Sequence, residues 1–159
     1  MASLSARMMT HLDVPAACRI ELGCVGNTFG ADRWKILINS RMVLPVMAFK
    51  DDKPTGVALA ERIGNRKLVL INLLCNGFSD SFCDFYRCED GSGAASILIA
   101  YLKSRIRLSD NRMIAEVDEC NLPAQKFFRS QQFEAVKILE GADGEPTYYR
   151  MVWRAKVLA

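Results

Sequence analysis

The sequence Glu116-Val-Asp-Glu-Cys-Asn-Leu-Pro-Ala-Gln-Lys-Phe-Phe-Arg-Ser-Gln-Gln-Phe133 sets a strand end, a helix and a helix exit in a fixed order. Asn121 is a favoured capping residue, so a helix is predicted over Leu122 to Gln131. The residues before the cap, Arg112 to Asp118, are predicted as a strand. Another strand, Phe133 to Leu139, follows the helix. This order of elements decides the prediction for the whole chain.

The rest of the chain alternates between helical periodicity and shorter apolar runs. Asp13 is a possible cap for the first predicted helix, and Trp34 in the second is interpreted as a core residue. The predicted elements are helices His11–Leu22 and Asp32–Arg41, strands Val43–Phe49, Gly56–Glu61 and Leu68–Cys75, helix Gly91–Arg107, strand Arg112–Asp118, helix Leu122–Gln131, and strands Phe133–Leu139 and Thr147–Ala155. This order predicts an α/β protein, three layers with a mixed sheet, in one domain over residues 1–159.

The composition excludes several classes of function. The 159 residues carry a formal net charge of +3 with no long run of like charge, so no nucleic-acid partner is expected. No apolar run approaches the roughly 20 residues that span a bilayer, and Met1 to Thr10 lacks a secretory signal pattern, so a cytoplasmic protein without membrane association is expected. The six cysteines form no CxxC pair, and no metal site is predicted.

A glycine-punctuated turn, Asp90-Gly-Ser-Gly-Ala94, opens the predicted helix that follows the apolar strand Leu68 to Cys75. A strand that leads through such a turn into a helix aims unpaired N–H groups at one point, which suits a pyrophosphate. A flexible turn that merely begins a helix is the alternative. The segment between strand and turn, Asn76 to Asp90, is predicted as a long loop, of a length that is often functional.

The two motifs together resemble those of the GNAT N-acetyltransferases. Asn121-Leu-Pro-Ala124, followed by Phe127-Phe128 and Gln132-Phe133, is similar to the family pattern of an Asn, an Ala three residues later, an apolar residue with a Tyr, and a final Gly-Phe. The similarity is greatest to the ribosomal-protein alanine N-acetyltransferases. It implies a mostly antiparallel mixed sheet with helices on both faces, splayed at a cofactor cleft.

The resemblance also implies an activity, which is transfer of acetyl from acetyl-CoA to a protein N-terminal amine or a small amine in a ternary complex. The backbone of the strand end would pair with the pantetheine arm, and the N–H near Leu74 would hold the oxyanion. Asn121 and Phe128 would contact the cofactor, although Asn121 serves equally as a plain helix cap. The residues implied in cofactor binding are Leu73, Leu74, Cys75, Glu89, Asp90, Gly91, Ser92, Gly93, Ala94, Asn121 and Phe128.

Glu116 aligns with the general base of the family, which removes a proton from the acceptor ammonium. A solvated strand carboxylate is the alternative interpretation of this residue. Phe128 stands at the position of a tyrosine that donates a proton to the departing thiolate, and Tyr86, Tyr148 or Tyr149 is a possible substitute. The resemblance leaves a homodimer open.

A second hypothesis belongs to a different class of function, a non-catalytic GNAT-like module that works through a partner surface. Phe128 cannot donate a proton, and the carboxylates Glu89 and Asp90 would repel a pyrophosphate. The aromatic residues Phe78, Phe82 and Phe85 would offer an apolar patch to such a partner.

Overall fold

One mixed β-sheet with helices on both faces makes up the computed structural model, which describes residues 3–26, 30–64, 67–75, 86–87, 93–106 and 111–156. The elements follow the predicted alternation of helices and strands. The strands are β1 (Leu4–Met8), β2 (Val43–Lys50), β3 (Lys53–Ile63), β4 (Lys67–Cys75), β5 (Tyr86–Arg87), β6 (Arg112–Asp118), β7 (Glu134–Leu139) and β8 (Tyr148–Arg154), and the α-helices are α1 (Val14–Val25), α2 (Ala31–Asn39), α3 (Ala94–Ser104) and α4 (Leu122–Ser130).

The sheet is mostly antiparallel. Its strands run in the order β1-β2-β3-β4-β6-β8-β7, with β5 added beside β4. Two pairings are parallel, β4 with β6 and β4 with β5. The fold class predicted from the sequence, a three-layer arrangement on a mixed and mostly antiparallel sheet, is confirmed.

Each face of the sheet carries its own apolar core. On one face, called the α3/α4 face, residues such as Leu98, Leu102 and Phe128 pack against Leu70 and Met113 of the sheet. On the opposite α1/α2 face the buried residues of the helices are joined by sheet residues. This second cluster consists of Met9, Val14, Ala16, Ala17, Ile20, Cys24, Trp34, Met47, Val57, Leu59 and Leu74.

Two strands were not predicted from the sequence. Strand β1 pairs with β2 at the sheet edge; its sequence Leu4-Ser-Ala-Arg-Met8 does alternate apolar and polar residues, but it has only five residues, all of them exposed or half-buried. Strand β5 lies inside the segment that was predicted as a loop, and it has only the two residues Tyr86 and Arg87. Its remaining neighbours, residues 76–85 and 88–92, lie outside the described part of the chain.

Asp13 occupies the predicted N-cap position of α1, but its side chain does not cap that helix. The carboxylate turns back instead and accepts hydrogen bonds from the Arg7 guanidinium at 2.6 and 3.0 Å and from the Thr10 N–H at 2.8 Å. Asp13 therefore ties α1 to β1. No helix within the described ranges is both long enough and apolar enough to cross a membrane.

Candidate functional site

Strands β4 and β6 separate partway along their length. Their parallel pairing runs from Leu68 opposite Met113 to Leu70 opposite Ala115 and then stops, although β4 continues to Cys75. The other edge of β4 stays paired with β3 as far as Cys75. The carboxyl ends of β4 and β6 thus border an opening in the sheet.

Strand β5 lies in this opening. It pairs in parallel with β4, Tyr86 opposite Leu73 and Arg87 opposite Leu74. Because β3 holds the other edge of β4, β5 must lie on the edge that faces β6. The Asn121 Nδ2 group donates a hydrogen bond to the Tyr86 carbonyl at 3.0 Å, which connects β5 to the end of β6.

Asn121 has two partners that use different ends of its side chain. Its Oδ1 accepts a hydrogen bond from the Ala124 N–H at 3.2 Å, so the predicted capping role is present in the structure. Its Nδ2 faces Tyr86. The residue is buried, and it fixes the start of α4 to the chain that lies in the opening.

Phe128 is fully buried at the centre of an aromatic group on the α3/α4 face. Its ring meets those of Tyr86, Phe127 and Phe133 edge-on, at centroid distances of 5.3, 5.5 and 5.0 Å. The Tyr86 hydroxyl donates a hydrogen bond to the Leu70 carbonyl at 2.7 Å. Tyr86, Tyr148 and Tyr149 are the candidates for the proton donor that Phe128 cannot be. Of these three, Tyr86 is the one that contacts Phe128.

Glu116 follows Ala115, the last residue of β6 that pairs with β4. Since Ala115 and Val117 belong to the α3/α4 core, strand alternation turns Glu116 to the α1/α2 face. Its Oε1 accepts hydrogen bonds from the Nη2 and Nε of Arg150 at 2.9 and 3.3 Å, and 43% of its side chain remains exposed. The carboxylate is therefore both oriented and accessible to solvent.

Arg150 was not identified from the sequence as a site residue. It lies on β8 directly opposite Glu116, so the pair depends on the register of two strands that are more than 30 residues apart. No pattern within a few residues of Glu116 or Arg150 predicts this pairing. The register of β6 against β8 is a product of the complete sheet.

The carboxyl end of β4 is fixed from the α1/α2 face. The Cys24 thiol of α1 lies 3.1 Å from the Cys75 carbonyl and donates to it. Leu73 is part of the α3/α4 core and Leu74 part of the α1/α2 core. These three β4 residues, predicted to pair with a cofactor, are therefore packed from both faces of the sheet, and the edge at Leu73 and Leu74 is paired with β5.

Helix α3 begins next to this strand end. Gly93 is its N-cap residue in a left-handed conformation with φ of 82°, and Ala94 packs at the start of the helix close to Gly56 of β3. A Cβ on Gly56 would lie 3.1 Å from the Leu74 carbonyl oxygen and 3.4 Å from the Ala94 Cβ, so the absence of a side chain lets α3 approach β4. The other residues predicted to surround a pyrophosphate, Glu89, Asp90, Gly91 and Ser92, lie outside the described residues.

The structure thus brings together Leu73, Leu74, Asn121 and Phe128 around the opening between β4 and β6, with Glu116 at its base. Within the described ranges, no three His, Cys, Asp or Glu side chains are grouped as metal ligands. Of the cysteines in those ranges, Cys24 and Cys75 are buried, Cys18 is half-buried and Cys120 is exposed.

Comparison with known proteins gives matches of structure and none of sequence. No protein-family model matches the chain, and no curated protein matches it at a significant level. The ribosomal-protein-S18-alanine N-acetyltransferase of Escherichia coli is 18% identical with a TM-score of 0.70, covering 100% of this chain and 97% of that one.

Two further solved structures have the same architecture. A GNAT-family acetyltransferase from Bacillus cereus is 17% identical, with a TM-score of 0.75 and coverage of 98% of this chain and 99% of that one. NAA60 from Arabidopsis thaliana, solved in complex with acetyl-CoA, is 13% identical, with a TM-score of 0.71 and coverage of 96% and 100%. Together with the separation of β4 from β6, these likenesses establish that the chain has the GNAT acetyltransferase fold.

Proposed function

We propose that this protein is an N-acetyltransferase that uses acetyl-CoA and acts on a primary amine, either a protein N-terminus or a small molecule. The observation that carries the proposal is the position of Glu116, one residue beyond the last β4–β6 pair and at the base of the opening. A carboxylate there lies beside the point where two strand ends separate, with part of its surface open to water. Function on a shared fold depends on such a site.

The proposed reaction is direct acyl transfer. The amine nitrogen of the acceptor attacks the thioester carbonyl, a C–N bond forms, and the C–S bond breaks to release the CoA thiolate. Glu116 takes the proton that the acceptor ammonium must lose, directly or through one water. The second proton, which the nitrogen loses as the neutral amide forms, passes through water to the released thiolate. A thiol of pKa near 8.5 leaves as the thiolate without an acid, so Phe128 is compatible with turnover.

The proposed cofactor contacts follow the resemblance residue by residue. The edge of β4 at Leu73 to Cys75 would accept the pantetheine arm as an added strand, and the N–H near Leu74 would stabilise the oxyanion. The turn over Glu89 to Ala94 would surround the pyrophosphate at the start of α3. Asn121 and Phe128 would line the cleft. The E. coli and Arabidopsis structures are named for N-acetylation of an alanine and for an acetyl-CoA complex, which supports this choice of substrates.

The test measures transfer from labelled acetyl-CoA to a panel of N-terminal peptides and small amines, with Glu116→Gln beside the wild type. We expect a loss of rate of about 100-fold or more in this variant, with unchanged binding of acetyl-CoA by calorimetry. Glu134→Gln, which changes a carboxylate on the exposed strand β7, is the matched control and should retain the wild-type rate. An unchanged rate in Glu116→Gln removes Glu116 from the mechanism.

A non-catalytic GNAT-like module is the second candidate, and one observation favours it. The β4 edge at Leu73 and Leu74 is paired with residues of the same chain. Calorimetric titration separates the candidates, because a module of this kind releases no heat with millimolar acetyl-CoA and labels no amine.

A further inference from the structure

The β4 edge at Leu73 and Leu74 holds a strand of its own chain. Tyr86 and Arg87 form the parallel pairs on the side of β6, and β3 fills the opposite edge as far as Cys75. A strand edge has one row of N–H and C=O groups, so it accepts one added strand at a time. An extended ligand therefore cannot pair with Leu73 and Leu74 while β5 is in place.

Tyr86 anchors this short strand through contacts with three separate parts of the fold. Its hydroxyl donates to the Leu70 carbonyl of β4 at 2.7 Å, and its ring lies edge-on to Phe128 of α4 at 5.3 Å. Its backbone carbonyl accepts from Asn121 Nδ2 at 3.0 Å. Only 5% of the residue is exposed. Two residues alone make a poor strand, so these side-chain contacts account for its position.

The hydroxyl of Tyr86 reaches the base of the opening. Leu70 is the last β4 residue that pairs with β6, and its partner Ala115 directly precedes Glu116. A thioester that meets an amine near Glu116 has to lie close to this point. Tyr86 therefore occupies both the path that an extended cofactor would follow along β4 and the inner end of that path.

We infer that Tyr86–Arg87 is a built-in strand that occupies the place of the pantetheine arm, and that acetyl-CoA binds only when this strand is withdrawn. The inference rests on the proposed function, since it concerns the same cleft. The apparent affinity for acetyl-CoA is then the intrinsic affinity reduced by the fraction of molecules in which Tyr86 has left the opening. Asn121 and Phe128, which hold Tyr86 in the free protein, are released to contact the cofactor at the same step.

The first experiment weakens the anchor without removing the ring. Tyr86→Phe deletes the hydrogen bond to Leu70, which biases the equilibrium toward the open state. We expect acetyl-CoA to bind this variant about 3- to 10-fold more tightly than the wild type in calorimetry. Tyr101→Phe removes the hydroxyl of a half-buried tyrosine in the second half of α3, away from the helix start that adjoins β4. Its dissociation constant should stay within about twofold of the wild type.

The second experiment observes Tyr86 itself. The chain has four tyrosines, so labelling with 3-fluorotyrosine gives few ¹⁹F signals, and the one absent from Tyr86→Phe belongs to Tyr86. In the free protein this signal should show no solvent isotope shift between H₂O and D₂O, because the ring is buried. Saturating acetyl-CoA should move it to the position and the isotope shift of an exposed tyrosine.

The outcomes separate this inference from the proposed function. Tighter binding by Tyr86→Phe with exposure of the Tyr86 signal supports it, and so does binding by Tyr86→Phe alone when the wild type does not bind. If the wild type binds acetyl-CoA while the Tyr86 signal stays buried, or if Tyr86→Phe binds no more tightly, the inference is overturned and the proposed function stands. Failure of every variant to bind at millimolar ligand overturns both.

Discussion

Arg150 holds Glu116 across the β6–β8 pair, with Nη2 2.9 Å from Oε1. The two side chains are 35% and 43% exposed, so water competes for both charges and the pair contributes little to the stability of the fold. We expect Arg150→Gln and Glu116→Gln each to lower the free energy of unfolding by less than about 1 kcal/mol in urea titrations. If Glu116→Gln loses more than this in the free energy of unfolding, part of the fall in its acetylation rate comes from unfolded protein and not from the loss of the base.

The end of α4 predicts a stabilising substitution. Gln132 has a φ of 69°, and the N–H groups of Gln132 and Phe133 donate to the carbonyls of Arg129 and Phe128 at 3.0 and 2.9 Å. This is a Schellman ending, whose left-handed residue is usually glycine. Gln132→Gly should raise the free energy of unfolding by about 1 kcal/mol because it removes the strain of a Cβ at positive φ. Gln132→Ala keeps that Cβ, and equal stability of the two variants would contradict the explanation.

Trp34 should be essential to the α1/α2 core. It is fully buried, as predicted from the sequence, and its indole N–H donates to the carboxylate of the buried residue Glu21. Trp34→Phe leaves a cavity and removes a donor from this carboxylate, so we expect a loss of about 2 to 4 kcal/mol in the free energy of unfolding. Ile36→Ala, at a site of the same helix that is 71% exposed, should change it by less than about 0.5 kcal/mol.

Asp13 makes the stability depend on pH. Burial alone would raise the pKa of Asp13, but hydrogen bonds from Arg7 and Thr10 and the charge of Arg7 outweigh it and hold the pKa below its usual value. The stabilisation is therefore complete above the unfolded pKa of about 3.9 and disappears as the pH falls through the lower folded value.

Asp13→Asn should accordingly be less stable than the wild type by about 1 to 2 kcal/mol at pH 7, and the difference should shrink as the pH falls below about 4. Thermal unfolding at a series of pH values measures it. Asp143→Asn, in an exposed turn, is the control that should show no such convergence. A difference that is constant with pH would exclude the charge of Asp13 as the cause.

Cys120 is an exposed thiol whose pKa is raised by its surroundings. Desolvation, the negative charges of Asp118 and Glu119 and a hydrogen bond to Asp118 all raise the pKa of the Cys120 thiol, so its thiolate forms at higher pH than that of an ordinary cysteine. Glu119→Gln should lower this pKa and speed alkylation by iodoacetamide at pH 7.5. Peptide mapping assigns the label to Cys120, and an equal or slower rate in the variant would contradict the electrostatic explanation.

The helices and most strands could be predicted because their signals are local. Asn121 caps α4 through its own side chain, and the apolar spacing of α3 is readable within one segment. The two-residue strand β5 escaped prediction because it is too short to carry a pattern and only its pairing with β4 defines it. Strand β1 does carry a short apolar and polar alternation, but its place at the sheet edge is set by its pairing with β2. For Asp13 the residue type indicated a cap of α1, but the carboxylate binds the guanidinium of Arg7 on β1, six residues earlier in the chain, instead.

Periodicity and capping act over a few residues, so the amino-acid sequence alone predicts the order of the elements. The resemblance of its motifs to those of a family singles out Glu116, Asn121 and Phe128. The contact of Arg150 with Glu116 and the position of Tyr86 between β4 and Asn121 are visible only in the folded sheet. These contacts join residues 34 and 35 positions apart, and they form only when strand register places both partners at the same site.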